Sequence, residues 1–152
     1  MRVAATLALL LGLSVVPGVL AAGPAILPVK MLDTSHEARD QQAEHARRTA
    51  LMAEVLADEL GGQLVAADEV ARACPRETAE CLLGVVRAEG AERGLFIVVQ
   101  KSSTLILNVF ADLVEPASGK VVLHRELNFR GDNDEAWRRA ARFLARELKA
   151  AG

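Results

Sequence analysis

The chain has 152 residues, with 18 basic and 20 acidic side chains and a formal net charge of −2 at pH 7. This near-neutral balance gives no electrostatic footprint for nucleic acid. One Trp, four Phe and no Tyr leave few aromatic platforms of the kind that stack single-stranded bases.

The first 22 residues have the layout of a secretory signal. Met1-Arg2 precede an apolar run, Pro17-Gly18 interrupt it, and a small-residue end follows at 19–22. The run is short for a membrane span, which needs about 20 apolar residues, although an uncleaved anchor is the alternative reading. We therefore expect a signal peptide at 1–22, one domain at 23–152 and a periplasmic location.

Two cysteines, Cys74 and Cys81, are expected to form a disulfide, because an exported protein meets an oxidising compartment. Cys81 in the first turns of a helix and Cys74 in the loop before it could approach to disulfide distance. A redox or metal role is the alternative, but catalytic redox pairs are normally Cys-x-x-Cys and two thiols alone make a poor metal site.

The first half of the chain alternates strands with helices. Pro24 and Pro28 indicate that the first strand either lies at a sheet edge or begins late, and Gly61-Gly62 mark the end of a long helix. The continuous apolar run at 95–99 is typical of a strand covered on both faces. The predicted elements are, in order, a strand at 29–32, a helix at 35–60, a strand at 63–66, a helical turn reaching 73, a helix at 78–89 and a strand at 95–99.

The second half predicts an antiparallel hairpin and a last helix. Alternating runs at 105–114 and 121–130 flank a Pro/Gly turn. Asp132 followed by Glu135 resembles a capping box at the helix start. The element order β-α-β-α-β-β-β-α predicts an α/β (α+β) fold, with one mixed β-sheet and helices packed on it.

The residues at 95–149 resemble a family of secreted bacterial proteins of unknown function. The resemblance rests on the stretches Val99-Gln100-Lys101-Ser102-Ser103-Thr104-Leu105-Ile106-Leu107-Asn108 and Arg130-Gly131-Asp132-Asn133-Asp134-Glu135-Ala136-Trp137-Arg138. That family tends to carry a cysteine pair before the long strand, and its layout is similar to the amino-terminal domain of TolB and related envelope lipoprotein domains. The resemblance implies the fold and the compartment, and no reaction.

No catalytic, cofactor-binding or metal-ligating motif stands out. The oxygen-rich segment 130–135 could hold a cation, but it lacks the spacing of a calcium loop, and a capped helix start is the favoured interpretation. His36, His45 and His124 lack the spacing of a ligand pair and are predicted to be solvated.

The polar side of the last strand is the predicted binding surface, comprising His124, Glu126, Asn128 and Arg130. Asn108, Gln100 and Lys101 are expected to extend this surface, with Arg130 as its anchor. The predicted function is an exported adaptor of the envelope that binds a protein partner. The alternative is a small-ligand-binding protein or enzyme whose site lies near the 132–137 loop, where Asp132, Asp134 and Trp137 are the candidates.

Overall fold

The computed structural model describes residues 23–151, so the predicted signal segment lies outside the described residues. Its elements are β1 (Ala25–Ile26), β2 (Lys30–Asp33), α1 (Gln42–Leu60), β3 (Gln63–Leu64), α2 (Ala67–Ala73), α3 (Ala79–Ala88), β4 (Gly94–Lys101), β5 (Ile106–Glu115), β6 (Lys120–Arg130) and α4 (Asp134–Ala150).

All the strands join one mixed sheet, as predicted. The main path runs β3-β1-β4-β5-β6, and β2 pairs with β4 beyond the end of β1. The pairs that involve β1, β2 and β3 are parallel, while β4–β5 and β5–β6 are antiparallel. The first half of the chain therefore supplies the parallel crossovers, and the second half supplies the meander.

Helices cover the two sheet faces unequally. Because successive strand residues point to opposite faces, Leu95, Ile97 and Val99 of β4 join a core with α1 and α4, which includes the fully buried Trp137. Phe96 points the other way, into a smaller cluster formed with α2 and α3. Complete burial of one large apolar side chain stabilises the folded state by about 1.5–3 kcal/mol. The cluster with α1 and α4 has more such side chains, so it contributes most of the packing energy.

Helix α1 begins seven residues later than the sequence predicts. The segment before it is held by local and distant polar contacts, because the Ser35 amide and hydroxyl both donate to Asp33 Oδ1, at 2.9 and 2.6 Å. His36 has a φ of 57°, which a helix does not accommodate. At the other end Gly61 caps α1 in the left-handed region, as predicted, with a φ of 60°.

The first strand is longer than predicted and is interrupted. The predicted 29–32 segment corresponds to β2, which pairs with β4 alone among the described residues, whereas β1 lies between β3 and β4. Pro28 separates the two pieces, because proline has no amide hydrogen for the ladder. The predicted strand therefore corresponds to β2, which begins late and lies at an edge, and β1 is an additional strand inside the sheet.

The short helices α2 and α3 are joined by the predicted disulfide. Cys74 follows the last residue of α2 and Cys81 lies in the first turn of α3, with their Cα atoms 5.8 Å apart. Thr78 caps α3 by accepting a hydrogen bond from the Cys81 amide. No helix within residues 23–151 is long and apolar enough to cross a membrane.

Candidate functional site

Part of the sheet carries no helix on the side of α2 and α3, and we call this area the outer sheet face. It begins where α2 and α3 end and extends over β2, β4, β5 and β6. Its side chains are Lys30, Leu32, Val98, Gln100, Ile106, Asn108, Phe110, Asp112, His124, Glu126, Asn128 and Arg130.

The outer sheet face is partly apolar. Leu32, Val98 and Ile106 are 51%, 39% and 41% exposed. The prediction that the apolar strand at 95–99 is covered on both faces is therefore wrong at Val98, because α2 and α3 are short and their cluster reaches only as far as Phe96. Exposed branched aliphatic side chains grouped on one surface are a common mark of a binding site.

Polar residues lie beside these aliphatic side chains in register across the strands. Gln100, Asn108 and Asn128 form one row, and Ile106 is opposite Arg130. Leu32 lies directly opposite Gln100, and the Cβ atoms of directly opposite residues are about 4.5–5.5 Å apart. The outer sheet face can therefore combine hydrogen bonding with apolar contact.

A small cavity of about 190 Å³ adjoins this face where the sheet meets α2 and α3. Leu82, Phe96 and Val98 line it, and an ion pair between Lys30 and Glu77, with N and O 2.5 Å apart, lies at its side. Its mainly apolar walls and its volume suit one inserted side chain rather than a cofactor.

The structure places the predicted β6 residues on the outer sheet face. His124, Glu126, Asn128 and Arg130 are all exposed, and His124 Nδ1 lies 2.6 Å from Asp112 Oδ1. Glu126 and Arg130 form no ion pair with another side chain of residues 23–151. Both charges are therefore available to a partner.

Lys101 was predicted to extend this surface, and that prediction is wrong. It has the same strand parity as Leu95, Ile97 and Val99, so it points toward α1 and α4 and is 1% exposed. Its ammonium group lies 2.8 Å from Asp132 Oδ2 and also pairs with Glu37. The side-chain oxygen of Gln41 accepts a third hydrogen bond from it, at 2.8 Å.

Asp132 is the centre of this buried group, which we call the Asp132 cluster: Asp132, Lys101, Glu37, Gln41, Arg48, His45 and Trp137. One carboxylate oxygen accepts hydrogen bonds from Arg48, at 2.7 Å, and from the Trp137 indole, at 3.0 Å. The other faces Lys101 and His45 Nε2, at 2.8 and 3.3 Å. Four partners occupy both oxygens, which leaves Asp132 no free position for a cation.

The pKa values of both acids in the cluster, Asp132 and Glu37, are lowered. Burial raises the pKa of Asp132, but the hydrogen bonds from Lys101 and Trp137 and the charge of Arg48 outweigh it and hold that pKa below its ordinary value. The hydrogen bond from Lys101, with others from Gln41 and Thr104, lowers the pKa of Glu37 to about 2. Both acids are therefore ionised at neutral pH.

Three further expectations about this region need correction. Asn133, rather than Asp132, caps α4 by accepting from the Ala136 amide at 3.0 Å, because the Asp132 carboxylate is already bonded to the cluster. Trp137 is fully buried and Asp132 nearly so, so neither lies on a binding surface. His45 is also buried, at 7% exposure, rather than solvated.

Asp134, the remaining candidate, lies at the start of α4 and is one-third exposed. It pairs with Arg47 and Arg48 of α1. A cavity of about 360 Å³ lies near the cluster and is lined by Lys101, Arg48 and Asp132 among others, but not by Asp134 or Trp137. Within residues 23–151 no group of three or more His, Cys, Asp or Glu side chains is arranged to hold a metal ion.

The sequence contains patterns that indicate the burial of Lys101 and His45. Lys101 continues the period-two alternation of β4 by one step. His45 is seven residues before Met52 and eleven before Leu56, which is the spacing of one helix face. Leu32 had no such signal, because only the pairing of β2 with β4 shows that it shares a row with Gln100.

Comparison with solved structures identifies proteins of similar fold. The crystal structure of lipoprotein GNA1162 from Neisseria meningitidis has a TM-score of 0.51 at 18% identity, covering 82% of this chain and 96% of that one. The PelC dodecamer from Paraburkholderia phytofirmans has a TM-score of 0.50 at 13% identity, covering 87% and 89%. The NMR structure of E. coli LpoB has a TM-score of 0.50 at 18% identity, covering 74% and 59%.

TolB from Acinetobacter baumannii is also similar, with a lower TM-score of 0.48 at 12% identity, covering 86% of this chain and 28% of that one. No curated protein matches the sequence significantly.

The sequence itself matches one family. The DUF3280 family model, described as "Protein of unknown function (DUF2380)", covers residues 23–148. This confirms the predicted resemblance to a family without an assigned function. The chain therefore belongs to the DUF3280 family.

Proposed function

We propose that this protein is an exported adaptor of the bacterial envelope, which binds a protein partner through the outer sheet face. The observation that carries the proposal is the unequal covering of the sheet. Helices α1 and α4 pack against one face along β4 and β5, whereas α2 and α3 leave much of the other face open.

The composition of the outer sheet face supports a protein partner. Leu32, Val98 and Ile106 supply apolar contact area, and the row of Gln100, Asn108 and Asn128 supplies hydrogen-bonding groups. Interfaces between proteins combine apolar contact with direct hydrogen bonds. The neighbouring 190 Å³ cavity could accept one anchoring side chain of the partner.

The charges at the margin specify the partner further. Arg130 is exposed and without an ion pair within the described residues, next to Ile106. We expect a partner carboxylate to meet it, because arginine binds carboxylates through two parallel hydrogen bonds. The expected partner surface is thus mixed apolar and polar, and acidic where it meets the end of β6.

The envelope location rests on the predicted secretory signal, and the disulfide supports it, because such bonds persist in oxidising compartments. GNA1162, a similar structure, is described as a lipoprotein. Fold similarity at this level of identity supports the location without assigning a partner.

Site-specific crosslinking in cells tests the docking surface. A photoreactive side chain at position 128, on the outer sheet face, should give a discrete adduct that mass spectrometry identifies as one protein. The same group at position 54, which is exposed on α1 on the opposite side of the sheet, should give none. Purified partner should then bind the wild-type chain measurably by calorimetry.

Substitutions on the outer sheet face test whether binding of the crosslinked partner depends on this surface. Arg130→Glu and Ile106→Asp should each weaken binding by about tenfold or more, because they remove the charge and the apolar contact that this surface offers the partner. The matched control Glu54→Lys should leave binding within twofold. Equal adducts from positions 128 and 54, or full binding by both outer-face variants, would overturn the proposal.

A site for a small ligand near the 132–137 loop is the alternative. The 360 Å³ cavity beside the Asp132 cluster favours it. Against it, the buried polar groups of the cluster satisfy one another, and Trp137 does not reach the cavity. Binding by a protein partner is therefore the better-supported function.

A further inference from the structure

The exposed side of α4 is strongly basic in a chain whose formal net charge is −2. The buried residues of α4, including Trp137, Leu144 and Leu148, occupy one arc of the helix. From residue 138 onward the fully exposed charged positions of α4 are all basic, and the acidic Glu147 is only partly exposed at the edge of this arc. We call the basic residues the α4 basic face: Arg138, Arg139, Arg142, Arg146 and Lys149.

Three of these arginines are free to bind a ligand. Arg139 pairs with Glu135 at 3.0 Å and Lys149 with Glu59 at 3.5 Å. Arg138, Arg142 and Arg146 form no ion pair within residues 23–151. They recur every four residues, and a rise of 1.5 Å per residue spreads them over about 12 Å along the helix.

An exposed aromatic ring lies beside this row. Phe143 is 45% exposed, outside the buried arc of α4. The guanidinium carbon of Arg146 lies 5.6 Å from the centre of the Phe143 ring. Burial of this ring would remove apolar surface from water, which favours contact with an apolar phase.

We propose that the α4 basic face binds the surface of an anionic lipid bilayer. The arginines meet headgroup phosphates, for which the planar guanidinium fork is well suited, and Phe143 enters the boundary of the acyl region. Basic side chains with an aromatic residue on the exposed side of a helix are typical of peripheral membrane attachment.

The shape of the face favours a bilayer over a soluble anion. A helix exposed along its length is convex, so it lies along a flat surface but does not enclose a small molecule. Helix α4 packs on the sheet face opposite the outer sheet face. Attachment through α4 would therefore leave the outer sheet face directed away from the lipid, and this inference does not depend on the proposed docking function.

Vesicle co-sedimentation tests the charge contribution. The full chain should bind vesicles of equal parts phosphatidylglycerol and phosphatidylcholine, and bind vesicles of phosphatidylcholine alone at least tenfold more weakly. The triple variant Arg138→Gln/Arg142→Gln/Arg146→Gln should lose more than about tenfold in affinity for the anionic vesicles. Any contribution from residues 1–22 is common to both chains and cancels in this comparison.

The matched control is the triple variant Arg72→Gln/Arg76→Gln/Arg93→Gln, which removes three exposed arginines outside α4. It should bind within twofold of the wild type. Thermal unfolding midpoints close to the wild-type value should show that both triple variants are folded. Equal loss of binding in the two triple variants would overturn the proposal, because the effect would then reflect net charge alone.

A fluorescent probe distinguishes a bilayer from a soluble acidic partner. In Phe143→Trp the new indole should shift its emission to shorter wavelength on anionic vesicles, while the buried Trp137 gives a constant background. Phe143→Ala should weaken vesicle binding without changing its dependence on salt. An unshifted emission, or an α4 triple variant that binds anionic vesicles as the wild type does, would contradict the proposal.

Discussion

At the scale of single residues, Asp132 binds three partners that are distant in the chain, His45, Arg48 and Lys101. It joins the loop before α4 to α1 through Arg48, to the end of β4 through Lys101 and to the core through Trp137. Glu37 and Gln41 bind the same lysine from the segment before α1. The cluster therefore fixes four separate parts of the chain at one point.

Replacement of Lys101 by Met should be strongly destabilising. The substitution leaves the carboxylates of Asp132 and Glu37 facing an apolar side chain, and removal of one partner from a buried ion pair costs about 3–5 kcal/mol. Urea unfolding followed by circular dichroism measures the change. The control Arg72→Met breaks an exposed pair with Asp68 and should cost under about 1 kcal/mol; equal effects would show that the cluster contributes no special stability.

The lowered pKa of Glu37 predicts how the free energy of unfolding changes at acid pH. Its pKa falls from 4.5 to about 2 in the folded state, so its stabilising contribution is fully present above pH 4.5 and is lost as the pH falls toward 2. Glu37→Gln should therefore reduce the slope of the unfolding free energy against pH in this window. Asp132, whose pKa is also lowered, should keep part of the slope, and an unchanged slope in Glu37→Gln would contradict the assignment.

At the scale of elements, the layer of α2 and α3 is the smaller of the two helical layers. Its helices are short, at 7 and 10 residues, against 19 for α1. Short helices gain little stability from their own hydrogen bonds, so this layer depends on the packing of Val70, Val86 and Phe96 and on the disulfide between the two helices.

The disulfide should contribute measurably to stability. The variant Cys74→Ser/Cys81→Ser should lose roughly 2–3 kcal/mol of unfolding free energy, as expected for a loop this short. Reductant should destabilise the wild type by a similar amount and leave the variant unchanged, as measured by urea unfolding. A wild type insensitive to reductant under conditions where free-thiol labelling shows both thiols would refute this contribution.

At the scale of the whole molecule, the sheet separates two surfaces of different chemistry. The outer sheet face is mixed apolar and polar, whereas the α4 basic face on the other side is cationic. Because the residues concerned have no shared partners, variants of the two surfaces should act independently. Crosslinking at position 128 and vesicle binding through α4 can thus fail separately.

The sequence by itself determined the elements that depend on local patterns. The alternation in 121–130 indicated β6 and its exposed polar residues, and Gly61 marked the end of α1. The expected oxidising compartment indicated the disulfide. Hydrophobic period and turn chemistry are properties of neighbouring residues, so they can be read without the fold.

The tertiary structure alone decided what is buried and what is left open. Lys101 and Asp132 are polar residues with ordinary local contexts, and their burial follows from the convergence of four distant segments on one point. The exposure of Val98 follows from the short reach of α2 and α3. Both depend on contacts between residues far apart in the chain, which no local period encodes.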